Sequence, residues 1–249
     1  MFYGKILCIL GPTCVGKTNL ALNLSLLLPI EIISVDSSMI YTHMSIGTDK
    51  PHIFYLMKIK HHLINILDPK EKYSVTDFCL TSLKLLETCW KNNNLPVFVG
   101  GNLMYMWIFQ NLFLKINAKY LPTNNINFIN IGIIPNNKIS YKKDITTRLQ
   151  KMLYNGLIEE VFLLHNRVDI NLKLNSIHSI GYQELWLYLD NKINFKEAKQ
   201  LIITSTLNLA NKQLLWLKKW QSTIFLFDSK KKYIYLNIQT LVHNYFLKK

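Results

Sequence analysis

A chain of 249 residues with 49% apolar and 18% charged residues holds enough hydrophobic material for one large domain or two small ones, and its composition excludes a disordered polypeptide. Its apolar runs are too short to cross a bilayer: the stretch 20–28 is interrupted by Asn23 and Ser25 and closed by Pro29. The formal charge of +14 is carried almost wholly by lysine, because Arg148 and Arg167 are the only arginines. Such a surplus suits a polyanionic partner such as RNA, but coding bias toward Lys, Asn, Ile, Tyr and Phe produces it too, so charge alone leaves the partner open.

Residues 5–10 form a short apolar run that ends at Gly11, and helical spacing resumes over 18–28, so the chain opens as strand, glycine loop and helix. This first strand follows the N-terminus directly and leaves no room for a signal peptide, which predicts a cytoplasmic protein. Residues 31–35 are a second strand closed by Asp36-Ser37-Ser38. Ser74 followed by Asp77 has the spacing of a capping box and predicts a helix through about Lys91. A third strand over 96–99 ends at Gly100-Gly101, with a helix expected from Leu103. Residues 111–125, ending Pro122-Thr123-Asn124-Asn125, read as a linker. Strands over 127–134 and 223–227 follow, separated by helical patterns around 145–165, 181–189 and 195–220. Alternating strands and helices predict an α/β fold, a parallel sheet with helices on both faces, whose ligands gather at the carboxyl ends of the strands. The chain reads as a single domain over 1–249. Cys8, Cys14, Cys79 and Cys89 lack C-x-x-C spacing and read as reduced thiols.

Gly11-Pro12-Thr13-Cys14-Val15-Gly16-Lys17-Thr18 matches G-x-x-x-x-G-K-[ST] between a strand and a helix, the setting of a P-loop NTPase-like, nucleotide- or diphosphate-binding loop. Its backbone N–H groups and the following helix N-terminus attract phosphate oxygens, Lys17 adds a point charge, and the Thr18 hydroxyl suits Mg²⁺. Phosphoryl transfer is poorly served on this reading: the third strand ends in glycines instead of an acid, and neither arginine lies next to a strand end in the sequence. A diphosphate leaving group needs only the cradle and the ion. Asp36, at the end of the second strand, is placed either to accept a proton from an attacking amine or to close an Asx-turn.

Several segments then match one family in order and spacing. They are Gly11-Pro12-Thr13-x-x-Gly16-Lys17-Thr18, Ile33-Ser34-Val35-Asp36-Ser37-Ser38-Met39-Ile40-Tyr41 and Met44-x-Ile46-Gly47-Thr48-x-Lys50-Pro51. They continue with His61-His62-Leu63-Ile64, Asp68-Pro69, Tyr73-Ser74-Val75-x-Asp77-Phe78 and Pro96-Val97-x-Val99-Gly100-Gly101-x-x-x-Tyr105. Ser176-Ile177-x-x-Ile180-Gly181-Tyr182-x-x-x-Trp186 and Leu209-Ala210-x-x-Gln213-x-x-Trp216-Leu217 complete the series. The chain resembles the bacterial tRNA dimethylallyltransferases. The resemblance implies an ATP-binding-type loop, residues 11–18, that holds dimethylallyl diphosphate with Mg²⁺, and Asp36 as general base on the exocyclic amine of adenine 37 in a tRNA anticodon stem-loop. It implies contacts from Asp36, Ser37, Ser38 and Met39 to the flipped-out base or its neighbours, and it matches Gly181-Tyr182 and residues 209–213 to stretches that line the donor channel and the tRNA contact surface, with Gly181, Tyr182, Lys212 and Gln213 as tRNA contacts.

The chain departs from the family at three places. Asn102 stands where the family has a catalytic threonine after the double glycine. Leu207 and Asn211 replace basic residues of the last motif, where Lys212 keeps one charge. The helical tRNA-clamping insertion is reduced to a remnant at about 111–130. The alternatives are a small P-loop kinase and a catalytically dead RNA-binding remnant; the intact Lys17, Thr18 and Asp36 count against the latter. A monomer without a membrane partner is expected. His61 and His62 point to opposite faces of a strand and read as structural, as do Trp186, Trp216 and Trp220 as core. Lys230-Lys231-Lys232 is a candidate phosphate contact.

Overall fold

The computed structural model describes residues 2–120, 126–220, 224–228 and 234–246. Strands β1 (Lys5–Leu10), β2 (Ile30–Val35), β3 (His61–His62), β4 (Leu95–Gly100), β5 (Asn127–Ile134) and β6 (Ile224–Asp228) form one sheet in the order β3-β2-β4-β1-β5-β6. Every pairing is parallel. Apolar residues fill both faces, as a sheet covered on each side requires. Ile6, Cys8, Leu10, Ile33, Val35 and Phe98 pack into one core, while Leu7, Ile9, Ile30, Ile32, Val97 and Val99 pack into the other. Period-two alternation along three neighbouring strands thus divides the molecule into two cores.

Helices α1 (Lys17–Leu24), α2 (Ile53–Lys58), α3 (Val75–Lys91) and α4 (Leu103–Tyr120) arise from the first half of the chain. Helices α5 (Lys138–Tyr154), α6 (Leu157–His165), α7 (Tyr182–Leu189), α8 (Phe195–Leu217) and α9 (Ile234–Phe246) follow. The expected capping box closes the start of α3: Ser74 Oγ accepts from Asp77 N at 3.2 Å, and Asp77 Oδ2 accepts from Ser74 N at 2.9 Å. Residues 111–120, expected as linker, instead continue α4. Phe113 in this stretch is buried against Phe109 and Phe128, with ring centroids 5.7 Å away in both cases. Residues 121–125 and Lys230-Lys231-Lys232 lie outside the described residues. The helical pattern over 145–165 divides at Gly156, whose φ of 98° ends one helix and starts the next. α2 and α9 had no clear sequence signal, the first because only six residues form it.

β1 lies between β4 and β5, so the chain winds to both sides of it and leaves a crevice at the carboxyl ends. At the opposite end, Glu31 is buried yet well supplied with donors: His62 Nε2 at 2.6 Å, Asn94 Nδ2 at 2.8 Å, Asn92 Nδ2 at 3.1 Å and Lys60 Nζ at 3.3 Å. Burial opposes the charge, but the hydrogen bonds and Lys60 outweigh it and hold the carboxyl down to about 2. A depressed carboxyl stabilises the fold above its unfolded value and loses that contribution as pH falls through the folded value. Glu31→Gln is therefore expected to lose on the order of 3 kcal/mol at pH 7. The difference from the native chain in urea midpoint should shrink between pH 4.5 and pH 2. An equal difference at both ends of that range would refute the assignment. His62 is thereby spent on Glu31, and His61 Nδ1 meets Ile59 O at 2.6 Å, in keeping with structural roles. Trp186 and Trp220 are buried, and Trp216 packs 6.0 Å from Trp107.

Candidate active site

The turn between β1 and α1 has Cys14 (φ 60°) and Gly16 (φ 87°) in the left-handed region, and its residues from Thr13 onward line the crevice. Gly11 (φ 151°) enters that turn where a Cβ would lie 2.3 Å from Ile133 O, so β5 leaves no room for any other residue. Thr13–Thr18, Asp36, Ser38, Met39, Gly100, Gly101 and Gly181 line a single cavity of about 1120 Å³. Lys17 Nζ donates to Pro12 O at 2.5 Å. Burial first, and then the charge of Arg148, push the Lys17 ammonium down to about 8, with Asp36 opposing them. Lys50 lines the same cavity and is likewise lowered to about 8 by burial, against the pull of Glu160 and Asp36.

Asp36 closes an Asx-type turn and faces the cavity at the same time. Its Oδ1 accepts from Ser38 N at 2.7 Å and Met39 N at 3.1 Å, leaving Oδ2 without a hydrogen-bond partner among the described residues. The two roles considered from the sequence are compatible, because each uses a different oxygen. Ser38 Oγ meets Ser179 Oγ at 2.8 Å, which ties the residues after β2 to the segment before α7.

Arg148 overturns the sequence argument that no arginine serves the loop. It projects from α5, donates to Thr13 Oγ1 and Cys14 Sγ, and pairs with Asp49 at 3.4 Å. Helix spacing could have revealed it, because it stands three residues after buried Ile145 and seven after buried Tyr141, on the inward face. Arg167, by contrast, grips Asp68 and Asp169 away from the cavity.

Models of known protein families match most of the chain. The model for IPP transferase matches residues 39–119 and 110–220, and that for isopentenyl transferase matches 4–65. A tRNA dimethylallyltransferase of Wigglesworthia glossinidia brevipalpis is 34% identical over 289 aligned residues, covering 90% of this chain and 89% of that one. The chain belongs to the tRNA dimethylallyltransferase family. A second relative with that name, from Buchnera aphidicola subsp. Cinara cedri, is 31% identical and covers 94% of this chain and 96% of its own. The full-length tRNA isopentenylpyrophosphate transferase of Bacillus halodurans superposes with a TM-score of 0.85 at 25% identity, over 97% of this chain and 96% of that one. Both alignments to the relatives are longer than 249 residues, so the relatives carry segments that this chain lacks, and the two IPP transferase matches meet at 110–119.

Several expected site residues are placed otherwise than the resemblance implied. Tyr182 is wholly buried, its hydroxyl donating to Glu160 Oε1 at 2.7 Å, so it supports the site from behind and offers no surface to RNA. Gln213 is also buried. It accepts from Thr13 N at 3.2 Å and donates to Gly101 O at 2.9 Å, so it staples the loop to the end of β4 while forming part of the cavity wall. Asn102 Oδ1 accepts from Tyr105 N at 3.3 Å, a helix-capping contact, and Asn102 is not part of the cavity wall. Ser37 and Lys212 are exposed and also lie outside that wall.

Proposed function

We propose that the chain transfers the dimethylallyl group of dimethylallyl diphosphate to N6 of adenine 37, beside the anticodon of tRNA, giving N6-isopentenyladenosine. The observation that carries this reading is one cavity holding both a diphosphate cradle, 13–18 with Lys17 and Arg148, and the free oxygen of Asp36. In the reaction the N6 lone pair forms a bond to C1 of the prenyl group, the C1–O bond breaks, and diphosphate leaves with the electron pair. The N6 proton passes to Asp36 Oδ2. Lys17, Arg148 and the loop N–H groups stabilise the charge that gathers on the departing diphosphate. Thr18 lines the same cavity next to Lys17, and its hydroxyl is a hard oxygen that would help hold Mg²⁺ beside the diphosphate. Once bound, the ion would add charge neutralisation on the leaving group.

Family membership supports prenyl transfer over phosphoryl transfer, and although Arg148 supplies an arginine at the loop, β4 still ends in glycine and offers no acid there. Among the described residues no helix is long and apolar enough to cross a membrane. Purified protein with Mg²⁺, labelled dimethylallyl diphosphate and an anticodon stem-loop carrying adenines 36 to 38 is expected to place label on adenine 37. Label on another base would revise the acceptor. Failure to transfer, with ATP consumed on a small acceptor, would replace prenyl transfer with the kinase reaction.

A further inference from the structure

Glu160, on α6, does not line the cavity and so belongs to no substrate-binding surface described above. Its carboxylate nonetheless gathers an unusual set of donors. Ser45 N lies 2.7 Å from Oε2, Ile46 N is 2.9 Å from Oε2 and 3.0 Å from Oε1, and Gly47 N is 3.0 Å from Oε1. The Tyr182 hydroxyl adds a fourth donor from α7 at 2.7 Å. Three consecutive N–H groups converging on one anion form a backbone nest, here filled by a side chain of the same protein.

The packing around this contact is built for it. A Cβ on Gly47 would stand 2.5 Å from Tyr182 Cε2 and 2.7 Å from Cζ, so the loop and the ring touch only because residue 47 has no side chain. Downstream, the segment forms part of the cavity wall from Ser45 to Ile53. It carries Asp49, which pairs with Arg148, and Lys50, which donates to Tyr41 O and to Asn65 Oδ1 at 2.6 Å. Arg148 in turn reaches Thr13 of the phosphate loop. A continuous series of contacts therefore runs from α6 through the loop to the diphosphate cradle.

We propose that Glu160 is a positioning residue for the donor diphosphate: by clamping Ser45, Ile46 and Gly47, with Tyr182 as its strut, it fixes Asp49 and Lys50 in the cavity wall and so sets Arg148 over the phosphate loop. This rests on prenyl transfer as the reaction. Loss of the clamp leaves Lys17 and Asp36 in place but lets the second cationic wall drift. The consequence falls on donor binding, and the RNA acceptor should be indifferent to it.

The test compares the native chain with Glu160→Gln and Tyr182→Phe. Steady-state transfer is measured at varied dimethylallyl diphosphate and varied stem-loop, with thermal midpoints and amide hydrogen exchange over 44–51. Glutamine places an N–H₂ against backbone N–H donors, so Glu160→Gln should exchange faster at 45–47 and raise the donor KM about tenfold. The stem-loop KM should stay within about twofold of native. Tyr182→Phe, which keeps the carboxylate, should shift the same parameters in the same direction by about threefold, and it serves as the test if Glu160→Gln does not fold. Faster exchange with an unchanged donor KM would overturn the proposal. So would an activity loss that merely follows the unfolded fraction, with both KM values native. A native chain that transfers nothing would instead overturn the prenyl-transfer reading, an outcome separable from either of these.

Discussion

Asp36→Asn should lower turnover on saturating substrates by about 10²- to 10⁴-fold, the range a positioned general base supplies, while leaving the affinity for dimethylallyl diphosphate within a fewfold of native. The selectivity follows from how the side chain is divided. Oδ1 is committed to Ser38 N and Met39 N, and an asparagine carbonyl can keep those two bonds, so the turn after β2 should survive. The other position becomes an amide, which donates where the reaction needs an acceptor. Because Asp36 also contributes negative potential near Lys17 and Lys50, its neutralisation should slightly favour the anionic donor if it acts on binding at all. Single-turnover transfer together with direct donor binding distinguishes these cases. A variant that turns over at the native rate would remove Asp36 from the proton transfer and leave it only the turn.

Lys17→Met is expected to weaken donor binding by about 10²-fold, roughly the worth of one or two charge-assisted hydrogen bonds in a desolvated site. It should also change the pH dependence of binding. With the Lys17 ammonium lowered to about 8, chiefly by burial and then by Arg148, the free protein progressively loses this proton as pH rises through 8, whereas bound diphosphate retains it. Affinity is thus fully present below about pH 7 and lost above 8, and Lys50, lowered to about 8 by burial, adds to the loss. Binding of dimethylallyl diphosphate without RNA, followed from pH 6.5 to 9.5, should fall more steeply for the native chain than for Lys17→Met, in which only the Lys50 contribution remains. Equal slopes would mean that Lys17 stays protonated throughout.

Local signals in this chain are strong where chemistry constrains neighbours in sequence. The phosphate loop, the capping box at Ser74 and the strands at Lys5–Leu10 and Asn127–Ile134 were all legible, because turn geometry, caps and apolar runs are properties of a few adjacent residues. The helical continuation over 111–120 was obscured, since only contact with Phe109 and Phe128 shows Phe113 to be core. Motif matching drew attention to Tyr182 and Gln213, but only the fold shows Tyr182 buried against Glu160 and Gln213 bridging Thr13 and Gly101 at the cavity wall. A motif records which residue stands at a position, but not whether its side chain faces ligand or holds the wall behind it.

By itself the sequence determined the α/β class, the glycine loop between the first strand and helix, the carboxylate at the end of the second strand and the family, each encoded in contiguous residues or ordered motifs. Only the tertiary structure decided that Arg148 covers the loop from 135 residues away, that Gln213 staples Thr13 to Gly101 across 200 and 112 positions, and that Glu160 clamps the segment bearing Asp49 and Lys50. These contacts depend on how α5, α6 and α8 pack over the sheet's carboxyl edge. That packing is fixed by burial summed over the whole core, which no local spacing of residues expresses.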